Sequence, residues 1–179
     1  MRSLYPDIKP FDRQMLEVGD GHQLYVDQSG RPGHHPVVFL HGGPGNGCEF
    51  DSRRFFDPDQ YHIILFDQRG AGRSLPSGAI HANTLDHLID DMEMIRTHLE
   101  LEQWALFGGG WGSSVALKYA ENYPDRVSGM VLRNPFWHDA RMLIGFIGKV
   151  LINFSLSNGV GSLRFWMTSR HRFSAIKHS

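Results

Sequence analysis

The chain has 179 residues, 41% hydrophobic and 21% charged, which fits one globular domain with a sizeable core and excludes a disordered segment. A formal net charge of −1 without a basic block argues against nucleic acid or an anionic membrane as the main partner. The single cysteine, Cys48, allows no internal disulfide and fits a reducing cytoplasm; residues 1–6 carry no signal-peptide core, and the apolar run 146–156 is too short to span a bilayer.

Taken in order, residues 14–18 and 23–28 read as two short strands around the hairpin turn Gly19-Asp20-Gly21. A turn-rich loop follows, then the continuous apolar run Val37-Val38-Phe39-Leu40, the pattern of a strand buried on both faces of a parallel sheet. It ends in His41-Gly42-Gly43-Pro44-Gly45. A second such run, 62–66, ends in Asp67-Gln68-Arg69-Gly70-Ala71-Gly72-Arg73-Ser74. Asn83 or Thr84 can cap a helix whose apolar positions Leu85, Leu88, Met92, Ile95 and Leu99 form one buried face. Residues 104–107 make a third strand, followed by a helix to about Tyr123 that Pro124 stops, and 127–132 make a fourth. Strands alternating with helices predict a parallel α/β sheet, with its sites at the C-terminal ends of the strands, where all three glycine-rich stretches fall.

The densest of these is Gly108-Gly109-Gly110-Trp111-Gly112-Ser113, between a strand and a helix. A turn of this kind brings backbone close to something at a helix N-terminus, which favours developing negative charge. In serine hydrolases the frame is Gly-x-Ser-x-Gly, with serine at the tip of a strained elbow. Here the frame is present and the tip is Gly110.

The three stretches, in this order and spacing, resemble the proline iminopeptidase family of α/β-hydrolases, and Tyr5-Pro6, Gly19-Asp20-Gly21-His22 and Arg54-Phe55-Phe56-Asp57-Pro58 resemble it too. The resemblance covers roughly residues 4–133. It implies an α/β-hydrolase core comprising the N-terminal part of a mostly parallel sheet, without the cap and C-terminal strands. It also implies release of proline from the N-termini of peptides through a Ser-Asp-His triad, with no metal and no other cofactor. Position 110 corresponds to the nucleophilic serine, the backbone N–H groups of Gly43 and Trp111 to the oxyanion hole, and Phe136 to an aromatic of the proline pocket. Neither the triad Asp and His nor the acidic residues that hold the substrate's amino group have a counterpart in this sequence. Ser113 and Ser114 fall inside the helix, away from the elbow tip.

The character changes near Arg141, after which no acidic residue occurs. The expected organisation is therefore a partial core at 1–142 and a divergent tail at 143–179. The tail reads as an out-of-frame translation. Phe165-Trp166-Met167-Thr168 requires TTY TGG ATG ACN, which gives Leu-Asp-Asp when read two nucleotides later. On this reading the outer edge of the fourth strand stays unpaired and solubility is low.

Several residues have blander readings. His41 reads as fixing its turn by hydrogen bonds rather than as a general base. Asp67 and Arg69 read as ordering their loop rather than as a functional ion pair. The eleven histidines show no ligand spacing, so no metal is expected. The Gly108-x-Gly110 pattern lacks the third glycine of a dinucleotide fingerprint. Phe136 and Trp137 serve core cover as readily as a pocket. The leading reading is a catalytically inactive cytoplasmic member of the family. A non-catalytic binding protein that uses 141–179 as a new surface is the alternative, and a hydrolase of other specificity is the third.

Overall fold

The computed structural model describes residues 4–133, 151–157 and 160–166. Strands β1 (Asp12–Glu17) and β2 (Gln23–Gly30) form an antiparallel hairpin around the glycine-rich turn. Strand β3 (His35–Leu40) is joined to β4 (Tyr61–Phe66) through a 3-10 helix, Phe50–Phe55. Helix α1 (Leu85–His98) leads to β5 (Trp104–Gly109), and α2 (Trp111–Asn122) leads to β6 (Val127–Arg133). Two further strands follow, β7 (Leu151–Ser157) and β8 (Val160–Trp166).

The sheet order is β1-β2-β4-β3-β5-β6-β8-β7. Its centre, β4-β3-β5-β6, is parallel as the alternation predicts. β2 joins β4 antiparallel, which extends the sheet on the hairpin side. From β3 the chain steps one way to β4, then back across β3 to β5. The order thus reverses between β3 and β5, the position where crevices open beyond the carboxyl ends of strands.

Handedness decides which face each connection covers. Both α1 and α2 link strands in the same direction, so right-handed crossovers put them on one face. There Leu88, Met92 and Ile95 of α1 and Val115, Ala116 and Tyr119 of α2 pack with Val38, Leu40, Ile64, Phe66, Leu106 and Leu132. The β3–β4 connection runs the other way and reaches the opposite face, where Phe56 packs with Val37 and Ile63 against the partly buried Phe39 and Phe107. Thr84 is the residue that caps α1: its Oγ1 accepts the His87 N–H at 3.5 Å.

The outer edge of β6 is not left unpaired. β8 runs antiparallel beside it, setting Leu163 opposite Leu132 and Phe165 opposite Met130, and β7 pairs with β8 in turn. The physical reason is legible in the composition: 151–157 alternates apolar and polar residues, and Asn158-Gly159 separates it from the second run, the dipeptide preferred in tight hairpins. The expected boundary near residue 142 lies outside the described residues, as do Phe136 and Trp137.

Candidate functional site

Leu40 and Gly108 are register partners on adjacent parallel strands, so the loops that leave β3 and β5 start side by side. α2 then packs directly on the end of β3. A Cβ on Gly112 would sit 2.0 Å from the Leu40 carbonyl oxygen, and one on Gly108 would sit 2.4 Å from the Gly112 carbonyl oxygen. Only glycine permits this approach.

Between β5 and α2 stands Gly110 alone, at φ 56° and ψ −119°. Its N–H donates to the Arg133 carbonyl at 3.0 Å and its own carbonyl accepts the Ser113 N–H at 3.0 Å, which fixes the turn from both sides. This is a strand-to-helix elbow whose tip carries no side chain. Ser113 is fully buried within α2, and its hydroxyl faces the carbonyls of Gly108 at 3.0 Å and Arg133 at 3.1 Å. That hydroxyl is committed to two carbonyls near the ends of β5 and β6.

Gly43 lies in the loop after β3, and Trp111 opens α2. A polar network joins the two. The Trp111 indole Nε1–H donates to Gln68 Oε1 at 2.9 Å, and Gln68 Nε2 donates to the His41 carbonyl at 3.1 Å. The Gln68 backbone N–H donates to His41 Nε2 at 3.0 Å, and His41 Nδ1 lies 2.8 Å from the Gly42 carbonyl. His41 is buried, and both ring nitrogens are engaged within the fold. This is the turn-fixing role read from sequence. Sequence reasoning misses Gln68, whose only signal is its place inside the second glycine-rich stretch.

Asp67 and Arg69 do not pair with each other. Asp67 binds Arg73, with Nε at 2.7 Å and Nη2 at 3.0 Å, and accepts the backbone N–H of Cys48 at 2.6 Å and of Arg73 at 2.8 Å. Arg69 makes a two-pronged contact with Asp91 of α1, both bonds at 2.8 Å, and reaches Asp20 of the hairpin turn at 2.9 Å. Two residues apart in a turn, the side chains leave in different directions and each finds a long-range partner. Each orders a loop: Asp67 ties residues 48 and 73 together, and Arg69 ties the β1–β2 turn to α1.

The electrostatics follow. Burial works against the Asp67 carboxylate, but the Arg73 guanidinium and the two backbone N–H groups outweigh it and hold its pKa below the usual range. Burial pushes the Cys48 thiol well up, with Asp67 adding to the effect, and the thiol donates to the Phe66 carbonyl at 3.1 Å. A thiol held in its protonated form is a poor nucleophile. Burial lowers the pKa of His41, so its ring is neutral at ordinary pH. Among the described residues no three His, Cys, Asp or Glu side chains gather as a metal site, and no helix is long and apolar enough to cross a membrane.

Comparisons with known proteins agree with this geometry. The family model for the alpha/beta hydrolase fold matches residues 35–150. A proline iminopeptidase of Arabidopsis thaliana is 53% identical over 135 residues, which are 75% of this chain and 36% of that protein. One from Xylella fastidiosa (strain Temecula1) is 52% identical over 136 residues, 76% of this chain and 44% of that protein. The chain thus spans well under two thirds of the length of these relatives. Among solved structures, a proline iminopeptidase-related protein from Thermus thermophilus superposes with a TM-score of 0.63 at 30% identity, covering 72% of this chain and 46% of that one. Epoxide hydrolase A from Mycobacterium thermoresistibile matches with a TM-score of 0.60 at 27% identity, covering 80% of this chain and 47% of the other.

Proposed function

The chain belongs to the α/β-hydrolase family, and on that premise we propose that its cleft is a proline iminopeptidase-type site for peptides with N-terminal proline that has lost its nucleophile. The observation that carries this reading is Gly110, at φ 56° and ψ −119° on the tip of the elbow where the family places serine. The N–H groups of Gly43 and Trp111 serve as the oxyanion donors, and Phe136 as the aromatic wall for the proline ring. Donors aimed at a tetrahedral oxyanion are commonly worth about 3 kcal/mol each, but they act only once a nucleophile has attacked. Cys48 and Ser113 do not replace it, since one is a half-buried thiol held in its neutral form and the other a buried hydroxyl bonded to the carbonyls of Gly108 and Arg133. No metal or cofactor takes part. A reducing, cytoplasmic setting goes with this reading on the single cysteine.

Prolyl arylamide turnover is the test. The expected rate is that of the buffer blank. Turnover by the purified chain above the blank would contradict the assignment. A second reading, a non-catalytic binding protein, draws support from the pairing of β8 with β6. It expects 151–166 to resist limited proteolysis, and rapid clipping there removes it.

A further inference from the structure

We infer that His41 is a positioning residue for the Gly42–Gly43 peptide, held by Gln68 in the neutral tautomer that carries its proton on Nδ1. This rests on the reading above, in which the Gly43 N–H is an oxyanion donor.

The tautomer follows from what each partner can do. A backbone N–H only donates, so His41 Nε2, 3.0 Å from the Gln68 nitrogen, must accept and carries no proton. The remaining proton is on Nδ1, 2.8 Å from the Gly42 carbonyl, which only accepts. One tautomer satisfies both contacts. The other sets N–H against N–H on one side and lone pair against lone pair on the other. Imidazolium fails on the Gln68 side alone.

The consequence lies in the next peptide unit. The Gly42 carbonyl and the Gly43 N–H belong to one planar group and point in opposite directions. Holding the carbonyl therefore aims the N–H. Two successive glycines offer no side chain to resist rotation of this plane, and Gly43 sits at φ +125°, so a hydrogen bond is needed to hold it. Gln68 extends the same restraint to the other donor residue, because its amide bridges the His41 carbonyl and the Trp111 indole. Three separate loops are thus registered through one imidazole and one carboxamide.

The charged groups that act on the ring are Asp67, which favours its proton, and Arg73, which opposes it; the first turn of α2 presents the uncharged Trp111, Gly112, Ser113 and Ser114. Burial is the largest influence and keeps the ring neutral. Acid that finally protonates His41 on Nε2 breaks the Gln68 contact that orients the ring and leaves a charged Nδ1–H donor on the Gly42 carbonyl without that support.

The test is a long-range proton–nitrogen correlation spectrum of the full chain labelled with ¹⁵N-histidine, followed through an acid titration with the Gly43 amide observed in parallel. We expect His41 protonated on Nδ1 and bare on Nε2 at neutral pH, a titration below the ordinary histidine range, and a Gly43 amide shift with the same midpoint. An Nε2–H tautomer, a ring already charged at neutral pH, or a Gly43 amide indifferent to the titration overturns the inference. Two variants separate positioning from packing. His41→Asn restores an N–H near the Nδ1 position and should keep the Gly43 resonance near its native place while abolishing its pH dependence. His41→Leu should displace it, and equal displacement in both variants overturns the positioning role. These readouts need no substrate. A Gly43 amide unmoved by added prolyl peptide would count against the proposed function and leave the tautomer standing.

Discussion

At position 110 the backbone adopts φ 56° and ψ −119°, a combination that glycine reaches freely and a residue with a Cβ reaches under strain. Strain of this kind costs on the order of 1–3 kcal/mol. Gly110→Ser should therefore lower the unfolding free energy by that amount in a urea titration. An unchanged or raised midpoint would show that the elbow tolerates a side chain without strain. A second prediction concerns protons. Burial depresses the pKa of both His41 and His62, so the unfolded chain takes up protons that the folded chain refuses. Stability should be constant above the ordinary histidine pKa of about 6.5 and fall as pH drops from there toward the lowered folded-state values. Denaturation midpoints at several pH values check this, and a midpoint that rises on acidification contradicts it. Gly110 itself is legible in the sequence because its neighbours preserve the frame around it. The partners of Asp67 and Arg69 are not, because Asp91 is twenty-two residues away from Arg69 and only the packing of α1 brings them together. The tautomer of His41 is equally hidden, since it depends on a backbone N–H from the neighbouring strand's loop.

Among the elements, α1 and the four parallel strands can be read directly. The helix repeats its apolar residues every three or four positions, and three of the strands, β3, β4 and β5, are largely apolar runs closed by glycine-rich turns. Thr84→Ala should cost about 1 kcal/mol through the lost cap, visible as a lower thermal midpoint, while Asn83→Ala tests the other capping candidate. Asn83 instead donates to the carbonyls of Arg69 and Ala79, at 3.0 and 2.9 Å. The contact between α2 and β3 is less forgiving. An alanine at Gly112 would drive its Cβ against the Leu40 carbonyl, backbone against backbone, and should cost about 3 kcal/mol by overpacking. Full stability in Gly112→Ala would mean that α2 does not rest on β3 as described. β7 and β8 escape a reading that follows the strand–helix rhythm, because there the chain changes to a hairpin with period-two alternation.

For the molecule as a whole, the sheet and its two faces follow from strand order and crossover handedness, and the strand order reverses between β3 and β5. The Arg69 cluster links three regions distant in sequence, since its guanidinium meets Asp91 of α1, Asp20 and the Val18 carbonyl of the hairpin turn, and the Ala82 carbonyl before α1. Removing one partner of a buried pair leaves the other uncompensated, typically at about 3–5 kcal/mol. Arg69→Met should therefore destabilise the entire chain in one cooperative step, and a loss confined to the hairpin would show that the cluster is local. On the proposed reading the site has lost its nucleophile, because the residue between β5 and α2 is glycine. The most direct measurement is intact-mass spectrometry of the folded chain after exposure to a fluorophosphonate, a reagent that traps activated serine. The expected result is an unmodified mass. A one-to-one adduct mapped to Ser113 or Ser114 would contradict it, because it would place a reactive hydroxyl where the structure shows one committed to two carbonyls or held along α2.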